Sequence, residues 1–148
     1  VNVIAPIFTN QEGLFLQTIF HPFELYARTC GDVALDVFWD GDTFSGGDYT
    51  GLRTLDVSAT IDNDGKTLSV YVVNRSQTDD LETTISLADI EFAGNVHVSV
   101  VNGPDIKAEN SFEKPEQVGI QESNLSASGR EFTYTFEKHS VTALVFDL

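Results

Sequence analysis

The amino-acid sequence predicts a mainly β protein: an antiparallel β-sandwich of jelly-roll or Greek-key type, preceded by one β-loop-α unit of the kind that builds a (β/α)8 barrel. Three observations carry this. After Gly31, apolar residues recur at every second position through most of the chain, the period of strands that bury one face. Clusters of Gly, Asn and Asp interrupt those runs at short intervals, as turns between antiparallel strands require. Before Gly31 the pattern differs, because an apolar run is followed by residues at helical spacing.

Val1 to Phe8 is nearly unbroken apolar sequence, the signature of a strand buried on both faces in a parallel sheet. Thr9 to Gln17 reads as a loop. Pro22 then opens a helical segment in which Phe23, Tyr26, Ala27 and Cys30 share the inner face and Gly31 caps the end, since Pro suits a first helical turn and Gly a terminus. A single such unit closes no core. Residues 1–31 therefore either decorate the domain that follows or form the last unit of a larger barrel, and the second reading accounts better for the apolar strand. The stretch does not resemble the start of a protein. Residues 32–148 form the sandwich.

Asp32 to Trp39 is a first strand, or a link packed as one, and Asp40 to Gly51 a turn-rich loop. Leu55, Val57, Ala59 and Ile61 alternate with polar residues, and the Asn63-Asp64-Gly65 turn leads into Thr67 to Val73, which predicts an antiparallel hairpin. Further strands are expected at Leu81 to Leu87, Val96 to Val101, Phe132 to Phe136 and Val141 to Phe146, with a short one at Gln117 to Gln121. Gly94-Asn95, Asn102-Gly103-Pro104 and Ser128-Gly129 serve as punctuation. The polar stretch Asp105 to Glu116 is too long for a simple turn and is expected to cross between the two sheets.

The 148 residues suffice for one well-buried domain plus an appendage,. Twenty-three acidic against eight basic residues leave a net charge of −15, a field that repels nucleic acid and anionic membrane but tolerates a neutral ligand such as a sugar. No apolar run reaches the length of about 18 residues that spans a bilayer. The first residues lack the basic and cleavage patterns of a signal peptide, and the location, cytoplasmic or secreted, is not set by this stretch. Cys30 is the only cysteine, so no disulfide or thiolate cluster is expected, and it reads as a small apolar residue on the inner helix face. Asn74-Arg75-Ser76 and Asn124-Leu125-Ser126 match the glycosylation triplet,.

Little of the polar inventory forms a reactive set. Asp40, Asp42 and Asp48 invite a calcium reading but lack EF-hand spacing, and turns favour such residues on their own account. Asp62 to Gly65 reads as a hairpin turn. His21, His97 and His139 stand at no metal-ligand spacing, so neither metal nor other cofactor is expected. His97 alternates with Val96 and Val98 and belongs on a solvent face. No nucleophile elbow, phosphate-binding loop or paired carboxylate is present. Glu12 and Glu24 are the only carboxylates of the barrel-like part, and Glu24 lies off the Phe23, Tyr26 and Ala27 face. Loops after strands hold the active sites of α/β barrels, which makes Gln17 and His21 the polar residues expected nearest to a ligand.

Asn2-Val3-Ile4-Ala5-Pro6-Ile7, Gly13-Leu14-Phe15-Leu16-Gln17-Thr18-Ile19 and Pro22-Phe23-Glu24-Leu25-Tyr26 resemble the last strand, loop and helix of the catalytic barrel in the α-L-arabinofuranosidases of glycoside hydrolase family 51. Val33 to Val37, Leu55 to Ala59, Val73-Asn74-Arg75, Val101 to Asp105 with Lys107 to Asn110, and Phe132 to Phe136 with His139 to Thr142 resemble that family's C-terminal β-sandwich. The similarity runs through essentially the whole chain in order. It implies a retaining hydrolase that releases terminal α-L-arabinofuranosyl groups from arabinan, arabinoxylan and their oligosaccharides, using two carboxyl groups about 5 Å apart. In the family both are glutamates on earlier barrel strands, so no catalytic residue is expected here and the chain alone should hydrolyse nothing. Gln17 matches the glutamine that contacts arabinose beside the scissile bond, a task suited to an amide that both donates and accepts. His21 departs from the pattern, where an aromatic, usually tyrosine, is commoner. The implied partners are an arabinose-containing oligo- or polysaccharide and the remainder of the barrel, in the same protein or a companion chain, with homo-oligomers frequent in the family. The rival reading is an independent carbohydrate-binding sandwich that stacks sugars on Trp39, Phe44 and Tyr49.

Overall fold

The structure, a computed structural model, describes residues 5–148. Its N-terminal part is a short antiparallel hairpin, β1 (Ile7–Thr9) and β2 (Leu14–Leu16), followed by helix α1 (Phe20–Thr29). The predicted loop thus contains a strand. Its turn is closed by Asn10, whose Oδ1 accepts from the N–H groups of Glu12 at 2.8 Å and Gly13 at 2.9 Å, the local side-chain bonding at which Asn excels. Residues 1–4 of the expected apolar strand lie outside the described residues. Within this chain Ile7 is exposed and Phe8 only half-buried, so double-sided burial is not seen for β1.

Strands β3 (Val33–Leu35), β6 (Leu55–Ile61), β7 (Thr67–Asn74), β9 (Phe92–Asn102), β10 (Gly119–Gly129) and β12 (Val141–Asp147), with β4, β5, β8 and β11 described below, complete the order. The six form an antiparallel sheet in the order β10-β9-β12-β7-β6-β3. β8 (Leu81–Ser86) and β11 (Glu131–Phe136) pair across it as a second layer. The chain leaves the large sheet after β7 and again after β10, and β12 returns between β7 and β9. This is an antiparallel sandwich with interleaved connections.

The core lies between the layers, where Val70, Val72, Val96, Val98, Leu144 and Phe146 meet Phe132 and Phe136. The other face of the large sheet is also covered. There Leu25 of α1 packs with Tyr71, Val101, Val118 and Ala143, so the middle strands bury both faces. That explains the nearly continuous apolar β7, whose Leu68, Val70 and Val72 point to one layer and Ser69 and Tyr71 to the helix side.

Five expectations are corrected. First, α1 presents His21 and Leu25 to the sheet, while Phe23 is 66% exposed and Cys30 is exposed. The helix has apolar residues on two sides, and of these Leu25 is the one buried against the sheet. Tyr26 lies between, partly exposed yet stacked on Tyr71 with ring centroids 4.1 Å apart. Second, Asp32 to Trp39 contributes only the short β3, and the following loop holds a hairpin, β4 (Thr43–Gly46) and β5 (Tyr49–Arg53). Third, β10 is eleven residues long, and its length is hidden from sequence because an edge strand exposed over most of its length needs no alternation. Fourth, Gly94-Asn95 lies inside β9, opposite Ala127 and Ser126; Gly94 has φ +126°, which glycine alone adopts without strain. Fifth, residues 105–116 do not cross between sheets, because β9 and β10 are neighbours in one sheet with Asn102 opposite Gly119.

The β6–β7 hairpin is as predicted. Gly65 takes φ +70°, and Asp62 Oδ1 accepts from the N–H groups of Lys66 at 2.9 Å and Thr67 at 3.1 Å. Chiefly through the Thr67 backbone N–H, these bonds hold the Asp62 carboxyl down to about 2, since they favour its charged form.

Candidate functional site

Gln17 directly follows β2, in the turn that leads into α1. Its N–H donates to Pro6 O at 2.9 Å, and its carbonyl accepts from Phe20 N at 2.8 Å. The side-chain Oε1 accepts from Thr18 N at 3.0 Å. Among the described residues no acceptor for the Nε2 donors is present.

His21 sits one turn further on but faces elsewhere. It is 8% exposed, and neither ring nitrogen has a hydrogen-bond partner among the described residues. With Glu24, Arg28, Ile120 and Glu122 it lines a depression of about 420 Å³ between α1 and β10, to which Gln17 does not contribute. Acidic and basic side chains alternate along this seam: Glu24 lies 3.8 Å from His21 Nδ1 and 3.6 Å from Arg28, which reaches Glu122 at 3.1 Å, itself 3.8 Å from His97. His97 also contacts Asn124 at 3.1 Å. The arrangement ties helix to sheet. It sets no carboxylate beside a nucleophile.

The aromatic platform of the rival reading is divided. Trp39 packs against the sandwich core with the Arg53 guanidinium 5.1 Å over its ring, while Tyr49 is 70% exposed on the β4–β5 hairpin. Phe44 lines a separate cleft of about 400 Å³ with Asp42, Arg75, Gln77 and Asp79. Among the described residues no group of three or more His, Cys, Asp and Glu is placed to hold a metal ion. His139 adopts φ +45° and contacts Asn102 Oδ1 at 2.8 Å, a turn-forming role.

Sequence reasoning missed two residues near Gln17. Asn110 donates through Nδ2 to Leu16 O at 2.9 Å, and Phe112 makes a T-shaped contact with Phe15, ring centroids 4.8 Å apart. Both come from the loop between β9 and β10. An asparagine in a polar stretch gives no local sign that it will be buried.

The family model described as Alpha-L-arabinofuranosidase C-terminal domain matches residues 1–140. The chain belongs to this family. Among its relatives, "Probable alpha-L-arabinofuranosidase C" of Aspergillus clavatus is 36% identical over 151 residues, covering 97% of this chain and 28% of the relative. "Intracellular exo-alpha-(1->5)-L-arabinofuranosidase" of Streptomyces lividans is 33% identical over 119 residues, covering 80% of this chain and 18% of that protein. The solved structure of the Thermotoga maritima α-L-arabinofuranosidase in its arabinose complex superposes with a TM-score of 0.90 at 26% identity, over 99% of this chain and 32% of that one. This arabinofuranosidase C-terminal domain thus spans well under half the length of the proteins it matches. The family match, from residue 1 to 140, takes in both the hairpin-and-helix unit that carries Gln17 and most of the sandwich, so the two belong to one homologous stretch.

Proposed function

We propose that the chain is the C-terminal portion of a retaining α-L-arabinofuranosidase, with residues 1–31 the last β-α unit of its catalytic barrel and residues 32–148 the sandwich that packs on it. The observation that carries this is the single family match from residue 1 to 140. The exposed apolar residues of the first unit, Ile7, Leu14, Ile19 and Phe23, support it: they face away from the sandwich and are suited to contact with the rest of a barrel. The whole enzyme removes terminal arabinofuranosyl groups from neutral polymers and oligosaccharides, a class compatible with the net charge of −15.

In this reading the two carboxyl groups, about 5 Å apart in a retaining site, come from barrel strands outside these residues. One acts as acid and base and the other as nucleophile. The part played here is binding, with Gln17 donating through Nε2 to a sugar hydroxyl. His21, buried in the helix–sheet seam away from Gln17, is given no contact with the sugar in this reading. Self-association of the whole enzyme belongs to the proposal and is checked by light scattering.

The test is hydrolysis of an aryl α-L-arabinofuranoside. The 148-residue chain is expected to release no aryl alcohol, and activity in it would overturn the proposal. In the whole enzyme, Gln17→Ala is expected to lower kcat/KM about 10- to 100-fold, the cost of one or two polar contacts to a sugar. The carbohydrate-binding reading keeps one observation in its favour, the Phe44 cleft, and predicts that Phe44→Ala abolishes retention of this chain on arabinoxylan.

A further inference from the structure

We infer that Asn110 is a positioning residue for arabinoside binding: through it the sandwich holds the backbone that aims Gln17. This rests on the reading of Gln17 as a sugar contact and adds to it a reason for the sandwich to be attached to the barrel.

The β9–β10 connection is longer than its ends require. Asn102 and Gly119 are register partners in adjacent antiparallel strands, a gap that about two to five residues close. Instead, residues 103–118 fold back over the N-terminal unit. Phe112 packs against Phe15 in a T-shaped pair, with ring centroids 4.8 Å apart, and Phe15 stacks on Phe8 at 5.2 Å. Asn110, 2% exposed, reaches the next residue along. Its Nδ2 donates to Leu16 O at 2.9 Å and to Val118 O at 2.7 Å, while its Oδ1 accepts from Val118 N at 2.8 Å.

Both donors and the acceptor of the amide are therefore used, and the chemistry is specific to asparagine. Aspartate would turn a charged oxygen toward two carbonyls, and glutamine would place the amide one methylene too far. The geometry also acts on a single peptide group. Its oxygen, on Leu16, is held by Asn110, and its N–H, on Gln17, is held by Pro6 O at 2.9 Å. Holding both ends of that plane sets the direction in which the Gln17 side chain leaves the backbone. A side chain fixed in this way binds without first being ordered.

The experiment is a double-mutant cycle in the whole enzyme, with hydrogen exchange read beside it. Asn110→Ala is expected to lower kcat/KM about tenfold on the aryl arabinofuranoside, mostly through KM, and to speed exchange in residues 14–18 about tenfold while leaving residues 68–73 unchanged. In a Gln17→Ala background the same change is expected to cost less than twofold, because the group it aims is gone. Asn110→Asp should behave like Asn110→Ala. Phe112→Leu orphans no buried polar group, so it serves if the Asn110 variants do not fold, with a loss of about two- to threefold through KM. A full tenfold loss in the Gln17→Ala background, or unchanged exchange in residues 14–18, overturns the inference. Should Gln17→Ala itself leave kcat/KM unchanged, the sugar-contact reading fails and this inference with it, whereas additivity alone removes only Asn110's part.

Discussion

The orientation of α1 can be tested by truncating its two faces separately. Leu25 is 1% exposed in the cluster formed with Tyr71, Val101, Val118 and Ala143, whereas Phe23, two residues earlier, is 66% exposed. Leu25→Ala removes three buried carbons, about 2.4 kcal/mol at roughly 0.8 kcal/mol per group. The surrounding side chains belong to three strands and a loop fixed by hydrogen bonds, so little collapse is available and the remaining cavity raises the total to about 3–4 kcal/mol. For a domain of this size that corresponds to a fall in Tm of about 6–15 °C. Phe23→Ala, by contrast, removes a side chain mostly in water and should cost under about 0.5 kcal/mol. Urea unfolding of the chain followed by far-UV circular dichroism measures both. If Phe23→Ala proves as costly as Leu25→Ala, the placement of the helix is wrong, and with it the argument that a second apolar face is left for the barrel.

Two further outcomes follow from turns and close approaches. The Asp62 carboxyl is held near 2 in the folded chain against about 3.8 ordinarily, a depressed folded value, so its contribution to stability is complete above about pH 4 and is lost as pH falls toward 2. Asp62→Asn should therefore flatten the acid limb of the urea midpoint plotted against pH, and an unchanged limb would refute the role of its turn hydrogen bonds. A Cβ on Gly31 would lie 2.6 Å from the Ile61 carbonyl carbon and 2.7 Å from its oxygen, both backbone atoms that yield only if the chain moves. Gly31→Ala should consequently cost about 1–3 kcal/mol and disturb the Gly31 N–H bond to Thr60 Oγ1, now 2.9 Å, which thermal unfolding and the Gly31 amide exchange rate will report.

Much of the sandwich is legible in the residues themselves. Leu55 to Ile61 alternates, Asn63-Asp64-Gly65 turns, and β7 answers residue for residue, from Leu55 opposite Asn74 to Ile61 opposite Leu68. The strands at Leu81, Phe132 and Val141 begin within a residue of expectation. Only the start of β10 is legible, in the short strand expected at Gln117 to Gln121; beyond Ile120 its exposed edge position constrains only Ala127. The β4–β5 hairpin was hidden in the same way, by residues of which only Leu52 is less than exposed. At the site, Gln17 stands out through family resemblance and its place after a strand, whereas Asn110 sits in a stretch as polar as any surface loop. His21 departs from the family pattern, but no local signal joins it to the seam with Arg28 and Glu122.

The division has a physical basis. Turn chemistry and side-chain alternation are decided by sterics and hydrogen bonds within a few residues, so the sequence by itself determined that strands form and where most of them turn. The helix end is less local, because Cys30 caps it and Gly31 is required by the approach of the Ile61 backbone. Which face of α1 meets the sheet depends on what lies opposite it. The return of β12 between β7 and β9, and the reach of residues 103–118 to Leu16, depend on pairings between residues far apart in the chain. Those contacts become favourable only when the partner surface is already in place, and the tertiary structure alone decided them.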